Sequence, residues 1–183
     1  GPDDPRFDRF CRVLAKAGFV VVAPYLPSFA SLVVEASAID DFEIVARAAS
    51  ERFAAIGKVT LFSISFGSWP AIEVAARLGS DIDGLITFGG YADFVSVARF
   101  CLDGRAGDDP PIQCDPLNRP ALFLNLLPYL DVPGDPSDLE RAFTLLCYRT
   151  WGRMELKAPG RLTPFIEALA GEVAPPRREL FRV

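Results

Sequence analysis

The first half of the chain alternates between stretches with the hydrophobic spacing of an amphipathic helix and short runs that are almost wholly apolar. The helical stretches are at residues 4–18, 37–57 and 69–78. The apolar runs, which suit strands buried on both faces of a parallel sheet, are at residues 19–23, 58–64 and 84–88. Strands that alternate with helices favour right-handed crossovers, so the pattern predicts an α/β fold with a parallel sheet covered by helices on both sides.

Local signals predict where two of these helices begin. Asp4 followed by Pro5 is a cap and a first-turn proline, and Gly18 ends the first helical stretch. Ser37 and Asp40 have the spacing of a capping box at the start of the second helix.

The pattern changes after Asp103. Residues 104–120 are rich in glycine and proline, which predicts an irregular loop. The remainder shows helical patterns and no clear strand, with helices predicted at 121–130, 139–151 and 163–171. We therefore predict an α/β core over residues 1–103 and a mainly helical cap or lid over residues 104–183.

Composition restricts the class of protein. The chain has 183 residues, half of them hydrophobic, which is enough for a buried core in one domain, or in one domain with a small appendage. A net charge of -5 argues against a nucleic-acid partner. No apolar run approaches the roughly 20 residues of a membrane span, and the N-terminal residues of this sequence lack the basic-then-apolar pattern of a secretory signal. A cytoplasmic protein without a membrane span is predicted, and nothing in the pattern predicts an oligomeric state.

The cysteines do not form a recognisable metal motif. Cys11, Cys101, Cys114 and Cys147 are widely spaced, and the chain has no histidine that could complete a mixed site. We interpret them as buried thiols, with a four-cysteine zinc site as the alternative. No metal and no other cofactor is expected.

The residues Ser63-Ile64-Ser65-Phe66-Gly67 lie where a predicted buried strand becomes a helix. A serine on such a turn is exposed at the edge of the sheet, and small residues must flank it because the chain reverses sharply. A hydroxyl is a poor nucleophile unless a base accepts its proton, and the usual base, histidine, does not occur in this sequence.

Three passages in this order resemble the α/β-hydrolase superfamily, over about residues 4–100. They are Ala-Gly-Phe-Val-Val-Val-Ala-Pro at 17–24, the serine turn at 63–67, and Phe-Gly-Gly-Tyr at 88–91. The resemblance implies a partial, three-layer version of that fold with Ser65 as the nucleophile and the Phe66 N–H as an oxyanion donor. Ser63 replaces the first glycine of the family's turn.

Asp93 follows the third predicted strand, where some members of the superfamily carry the triad acid. The same residue precedes an apolar helical stretch, and an aspartate at that place is also a helix cap. We prefer the capping interpretation and keep the catalytic one as the alternative.

The resemblance also implies that parts of the fold lie outside the sequence. The family's earlier strands and second oxyanion donor would precede residue 1, which is Gly1 and not methionine, and its acid and histidine would follow near or beyond Val183. One missing strand belongs between those at 19–23 and 58–64. Those two would pair directly or leave unpaired edges, and we expect low stability for the isolated chain.

Two functions remain open. The first is a serine hydrolase acting on small-molecule carboxylic esters, incomplete here and inactive alone. The second is a non-catalytic, hydrolase-like domain with a binding or scaffolding role. An apolar stripe after residue 120 either lines an acyl-binding pocket or packs helices together; its members are Phe123, Leu124, Leu126, Leu127, Tyr129, Phe143, Leu146 and Trp151.

Overall fold

A computed structural model describes residues 4–91 and 93–182 and has an α/β arrangement with a small parallel sheet flanked by helices. The described residues form two compact units. The first contains the residues up to Tyr91 except Ser31–Val33, and the second contains Ser31–Val33 and the residues after position 92. The predicted boundary near residue 103 stays a prediction.

The first unit contains both strands and four of the helices that we label α1 to α9 in chain order. Its α-helices and strands are α1 (Pro5–Lys16), α2 (Pro27–Ala30), α3 (Ala36–Arg52), β1 (Val59–Ile64), α4 (Ser68–Leu78) and β2 (Ile82–Phe88). Short 3-10 turns at Ser65–Gly67 and Gly79–Asp81 lie on either side of α4.

The predicted helices at 4–18, 37–57 and 69–78 are confirmed with small shifts in their ends. Asp4 caps α1 as expected, since its carboxylate accepts a hydrogen bond from the Arg6 N–H at 2.8 Å. The predicted capping box of Ser37 is wrong. The N-cap of α3 is Glu35, and the Ser37 hydroxyl donates to the Glu35 carboxylate at 3.2 Å.

The strands β1 and β2 are parallel neighbours joined by α4. Phe62 pairs with Ile86 and Ile64 pairs with Phe88, and one register shift lies between Val59 and Thr60. On one face of the sheet, α3 and α4 pack against the strands around a core of buried side chains. The members of that core are Ile39, Ala46, Val74, Leu78 and Ile82.

The predicted strand at 19–23 is wrong. This segment is irregular, and Phe19 and Val20 are exposed. Its apolar composition suits a strand buried on both sides, but a strand also needs a neighbour to satisfy its backbone groups, and within the described residues β1 and β2 pair only with each other. Residues 19–23 and 58–64 were expected either to pair directly or to leave unpaired edges, and within the described residues they do not pair.

One face of the small sheet is largely uncovered in the first unit. Phe62, Ile64, Ile86 and Phe88 are all exposed, although Phe10 of α1 contacts the Phe62 ring at a centroid distance of 4.9 Å. On the opposite face Ile82 is buried and Val59 and Leu61 are half-buried against α3 and α4, so the two faces differ because helices pack on one of them.

In the second unit, the described residues are helical or irregular, as predicted for the end of the chain. The α-helices are α5 (Phe94–Asp103), α6 (Asn118–Leu126), α7 (Ser137–Thr150), α8 (Thr163–Ala170) and α9 (Arg178–Phe181). Its core is built on α7, whose Leu139 and Leu146 are almost fully buried, and the Phe143 ring contacts Phe181 at 5.0 Å. The glycine- and proline-rich loop ends where α6 begins.

A partly buried ion pair holds the start of α7 to the end of the chain within this unit. The Asp138 carboxylate accepts hydrogen bonds from Arg177 Nε and Nη2, both at 2.8 Å, and from the Ala174 N–H at 2.7 Å. Arg177 also donates from Nη1 to the Pro133 carbonyl at 2.7 Å. The paired arrangement fits the planar guanidinium, so charge and geometry stabilise the same contact.

We expect Asp138→Asn to lower the free energy of unfolding by about 1–3 kcal/mol, because it weakens a charge-assisted network and leaves Arg177 partly buried without its anion. Urea unfolding followed by circular dichroism measures the loss. Asp131→Asn, at an exposed aspartate, is the control and should change stability little. Equal stability of the two variants would contradict the role given to Asp138.

The same ion pair predicts a pH dependence. The hydrogen bonds from Arg177 lower the pKa of Asp138 from 3.8 to about 2. A carboxyl with a depressed pKa in the folded state stabilises the protein fully above its unfolded pKa, and this contribution is lost as the pH falls toward the folded value. The difference in stability between the wild type and Asp138→Asn should therefore be constant above about pH 5 and shrink between pH 4 and pH 2.

Candidate functional site

The candidate site is the turn that follows β1 in the first unit. Along β1 the side chains alternate, so that Ser63 is buried and Ile64 is exposed. Ser65 comes directly after the strand, at the carboxyl end of the parallel pair, and is exposed. Three residues later α4 begins, so the chain reverses within the segment Ser65–Gly67.

Ser65 has a positive φ of 50°. A residue with a side chain rarely adopts this left-handed conformation, which costs roughly 1–2 kcal/mol because Cβ approaches the following backbone. Other contacts must therefore hold the residue in place.

Ser68 supplies those contacts. Its hydroxyl donates to the Ser65 carbonyl at 2.6 Å, and its backbone N–H donates to the same oxygen. The Ser68 side chain is fully buried, so water does not compete for this hydrogen bond. The carbonyl of the strained residue is fixed from the first turn of α4.

Small residues pack closely around the turn. A Cβ on Gly67 would lie 2.7 Å from Ser63 Oγ, and a Cβ on Gly90 would lie 2.6 Å from Ser68 Oγ and 3.0 Å from Ser68 Cβ. Ser63 and Gly67 were expected to be small because of the sharp reversal. Gly90, which follows β2, is small for a related reason, because it packs against the serine that holds the turn.

Phe66 is positioned by its neighbours on both sides. Its ring contacts the Phe29 ring at a centroid distance of 5.4 Å, and its carbonyl accepts a hydrogen bond from the Tyr91 hydroxyl at 3.3 Å. Burial raises the pKa of Tyr91, so the phenol keeps its proton and remains a donor. The backbone N–H of Phe66 lies at the amino end of a helical segment, where such groups lack intrahelical acceptors.

Asp93 belongs to the second unit and caps α5. Its carboxylate accepts a hydrogen bond from the Ser96 N–H at 2.7 Å. Hydrogen bonding to Ser96 lowers the pKa of Asp93, so the group is an anion at neutral pH. The capping interpretation describes its contacts, and its catalytic role stays a prediction.

The apolar stripe of the second unit packs mainly into the core. Leu124, Leu127, Phe143 and Leu146 are buried in one cluster and fill the space between helices. The Phe123 ring stacks on Phe143 at a centroid distance of 5.7 Å. These side chains contact one another, which favours the packing interpretation over an acyl-binding pocket.

The burial predicted for the four cysteines is confirmed for two of them. Cys101 and Cys147 are buried, whereas Cys11 and Cys114 are half-buried. Within residues 4–91 and 93–182, no three cysteine, aspartate or glutamate side chains come together as a metal site would require. Among the helices of these ranges, none combines the length and the hydrophobicity of a transmembrane span.

Sequence reasoning missed Ser68, and it quoted Gly90 and Tyr91 only as part of a resemblance. A serine three residues after the serine of the predicted turn has the spacing of a side-chain-to-backbone hydrogen bond, which was the available signal. The partner of Gly90 could not be found in this way, because 22 positions separate it from Ser68 and only the pairing of β1 with β2 brings them together.

Comparisons with protein-family models, with curated protein sequences and with solved structures found no match for this chain. The assignment of a function therefore rests on the geometry of the Ser65 turn and on the composition of the chain.

We expect Gly90→Ala to destabilise the protein by about 1–3 kcal/mol, because the new methyl group would overlap Ser68, which is buried and hydrogen-bonded. Gly84→Ala is the matched control in β2, where a Cβ meets nothing within 4 Å. Thermal unfolding of both variants measures the difference. If Gly90→Ala were as stable as Gly84→Ala, the close packing around Ser68 would be wrong.

We also expect Ser65→Gly to leave the free energy of unfolding unchanged or to raise it by up to about 1 kcal/mol, since glycine adopts positive φ without the steric cost. Ser80→Gly, at a serine whose φ is not positive, should lower stability instead. A clear loss of stability in Ser65→Gly, as large as that in Ser80→Gly, would show that Ser65 is not strained.

Proposed function

We propose that this chain carries the nucleophile-bearing part of a serine hydrolase of the three-layer α/β-hydrolase type, with carboxylic esters as substrates. The observation that carries the proposal is the positive φ of Ser65, 50°, on the turn from β1 to α4. A catalytic serine on such a turn is exposed at the carboxyl edge of a parallel sheet in a strained conformation, and the strain is tolerated because it aims the hydroxyl outward.

The proposed reaction starts at Ser65. Its Oγ attacks the ester carbonyl carbon, and the Phe66 N–H donates to the oxygen on which negative charge develops. The amino end of α4 adds partial positive charge beside the turn. In this proposal Ser68 and Tyr91 are positioning residues, because they bind the carbonyls of Ser65 and Phe66.

The proton of the Ser65 hydroxyl must pass to a base. These 183 residues contain no histidine, so the turn provides a nucleophile and a donor without the usual proton acceptor. We expect no measurable ester hydrolysis by this chain alone. The Asp93 carboxylate accepts a hydrogen bond from the Ser96 N–H, and its role as the acid of the triad remains a hypothesis.

A second candidate is a non-catalytic, hydrolase-like domain with a binding or scaffolding role, which the lack of histidine favours only if no residues outside this sequence supply a base. In that case the strained turn is kept as part of the fold and Ser65 has no chemical role. The two candidates differ in whether the Ser65 hydroxyl reacts once a base is available.

Labelling with an alkyl fluorophosphonate, with and without added imidazole, tests this difference. Imidazole replaces the missing base, and Ser65 is exposed enough for it to approach. We expect covalent labelling at Ser65 to rise at least about tenfold with imidazole, since general bases contribute by that order or more. Peptide mass spectrometry of fragment 59–77 locates the modified residue.

Matched variants complete this experiment. Ser65→Ala should abolish the imidazole-dependent label, whereas Ser80→Ala, at another exposed serine of the same unit, should retain it. No labelling of the folded chain at any imidazole concentration would favour the non-catalytic domain. Labelling that survives in Ser65→Ala would remove Ser65 as the nucleophile.

A further inference from the structure

Two cysteines of the second unit lie next to each other at the carboxyl end of α5. The helix ends at Asp103, and the chain turns away at Gly104, which has a φ of 75°. It then returns, because the Ile112 N–H donates to the Gly104 carbonyl at 3.0 Å. Two residues further, the Cys114 sulfur lies 3.4 Å from the Cys101 carbonyl oxygen.

This contact places one sulfur beside the backbone of the other cysteine. A carbonyl oxygen is about 2.4 Å from its own Cα, so Cys114 Sγ is at most about 6 Å from the Cα of Cys101. The Cα of Cys114 is about 2.8 Å from its own sulfur, so the two Cα atoms are at most about 9 Å apart, whereas a disulfide requires about 4.4–6.8 Å. Rotation of the side chains and movement of the loop, whose residues 105–113 are all exposed, would bring the sulfurs together.

The return of the loop is fixed by more than this contact. A Cβ on Gly104 would lie 1.9 Å from the Ile112 carbonyl oxygen, so the two backbones touch where only glycine fits. Arg119 donates from Nη2 to the Leu102 carbonyl at 2.8 Å, which ties the start of α6 to the same helix end. Cys114 is therefore held near Cys101 by the fold.

The two thiols differ in access. Cys114 is half-buried at the end of the exposed loop, whereas Cys101 is only 7% exposed. Burial raises the pKa of the Cys101 thiol, and the nearby Cys114 contributes to the same shift. An oxidant in solution therefore meets Cys114 first, and Cys101 reacts from inside the unit.

We propose that Cys101 and Cys114 form a reversible disulfide that closes the loop between α5 and α6. The proposal goes beyond the hydrolase function and does not depend on it.

The oxidant is a low-molecular-weight disulfide. The Cys114 thiolate attacks one of its sulfurs and releases one thiol, and the Cys101 thiolate then attacks the Cys114 sulfur of the mixed disulfide and releases the second. Two protein thiols are oxidised, the reagent disulfide is reduced to two thiols, and the protons pass to those thiols.

Cys147 provides a contrast within the same unit. It is 3% exposed, and burial raises its pKa to about 12, so a disulfide in solution reaches it less readily than the half-buried Cys114. Cys147→Ser is therefore a suitable control, as it removes a thiol that the proposal does not use.

In the test, the chain with all four cysteines present is equilibrated in buffers that differ in the ratio of reduced to oxidised glutathione. The remaining free thiols are then alkylated. Trypsin separates the cysteines into different fragments, with Cys101 in 100–105 and Cys114 in 106–141. We expect the loss of two alkylation sites and a cross-linked species of these two fragments. Hydrogen exchange of the amides in 105–113 should slow in the oxidised form.

The variants make the result specific. Cys101→Ser should stop the exchange at the mixed disulfide of Cys114 with glutathione, and Cys147→Ser should cross-link like the wild type. The proposal is overturned if no cross-link between fragments 100–105 and 106–141 forms at any ratio. It is equally overturned if the cross-link forms to the same extent in guanidinium chloride, since the fold would then not select the pair. The cross-link between these fragments is measured in the wild-type chain. The test therefore remains decisive even if Cys101→Ser fails to fold.

Discussion

The first unit depends on how the chain reverses between β1 and α4. Ser65 has to adopt a positive φ for the helix to return along the sheet, and the two hydrogen bonds from Ser68 to its carbonyl hold that conformation. Because the Ser68 hydroxyl is fully buried, the residues that approach it must be small, and Gly90, just after the neighbouring strand β2, meets that need. The turn, the pairing of the strands and the packing of α4 are therefore one connected arrangement.

In this unit, apolar segments stay exposed where few neighbouring segments are available to pair or pack with them. Phe62 and Phe88 are exposed although both lie in strands, because α3 and α4 pack on the opposite face. The run at 19–23 is at least as apolar as either strand, yet it is irregular, and all of its residues except the half-buried Val21 are exposed. Hydrophobicity favours burial, but a strand forms only where backbone donors and acceptors find a neighbour. A sheet with so much apolar surface in water gains less stability from burial than its composition would allow.

The geometry of Ser65 and the composition of the chain bear on function in opposite ways. A strained, exposed serine at the start of a helical segment is the geometry that the proposed nucleophile needs, whereas the lack of histidine leaves the hydroxyl without its usual base. The second unit is organised by ordinary packing, with Leu139 and Leu146 at its centre and the Asp138–Arg177 pair at its edge. Its apolar stripe, which suggested a binding pocket, is used mostly for this core.

The sequence by itself determined the helices α1, α3 and α4, both strands and the place of Ser65, because local spacing, caps and breakers act over a few residues. It also determined that no histidine is present. Only the tertiary structure decided that 19–23 is not a strand, that Gly90 packs on Ser68 and that Cys114 touches Cys101. These outcomes depend on contacts between positions far apart in the chain, and no local pattern encodes which neighbour a segment will have.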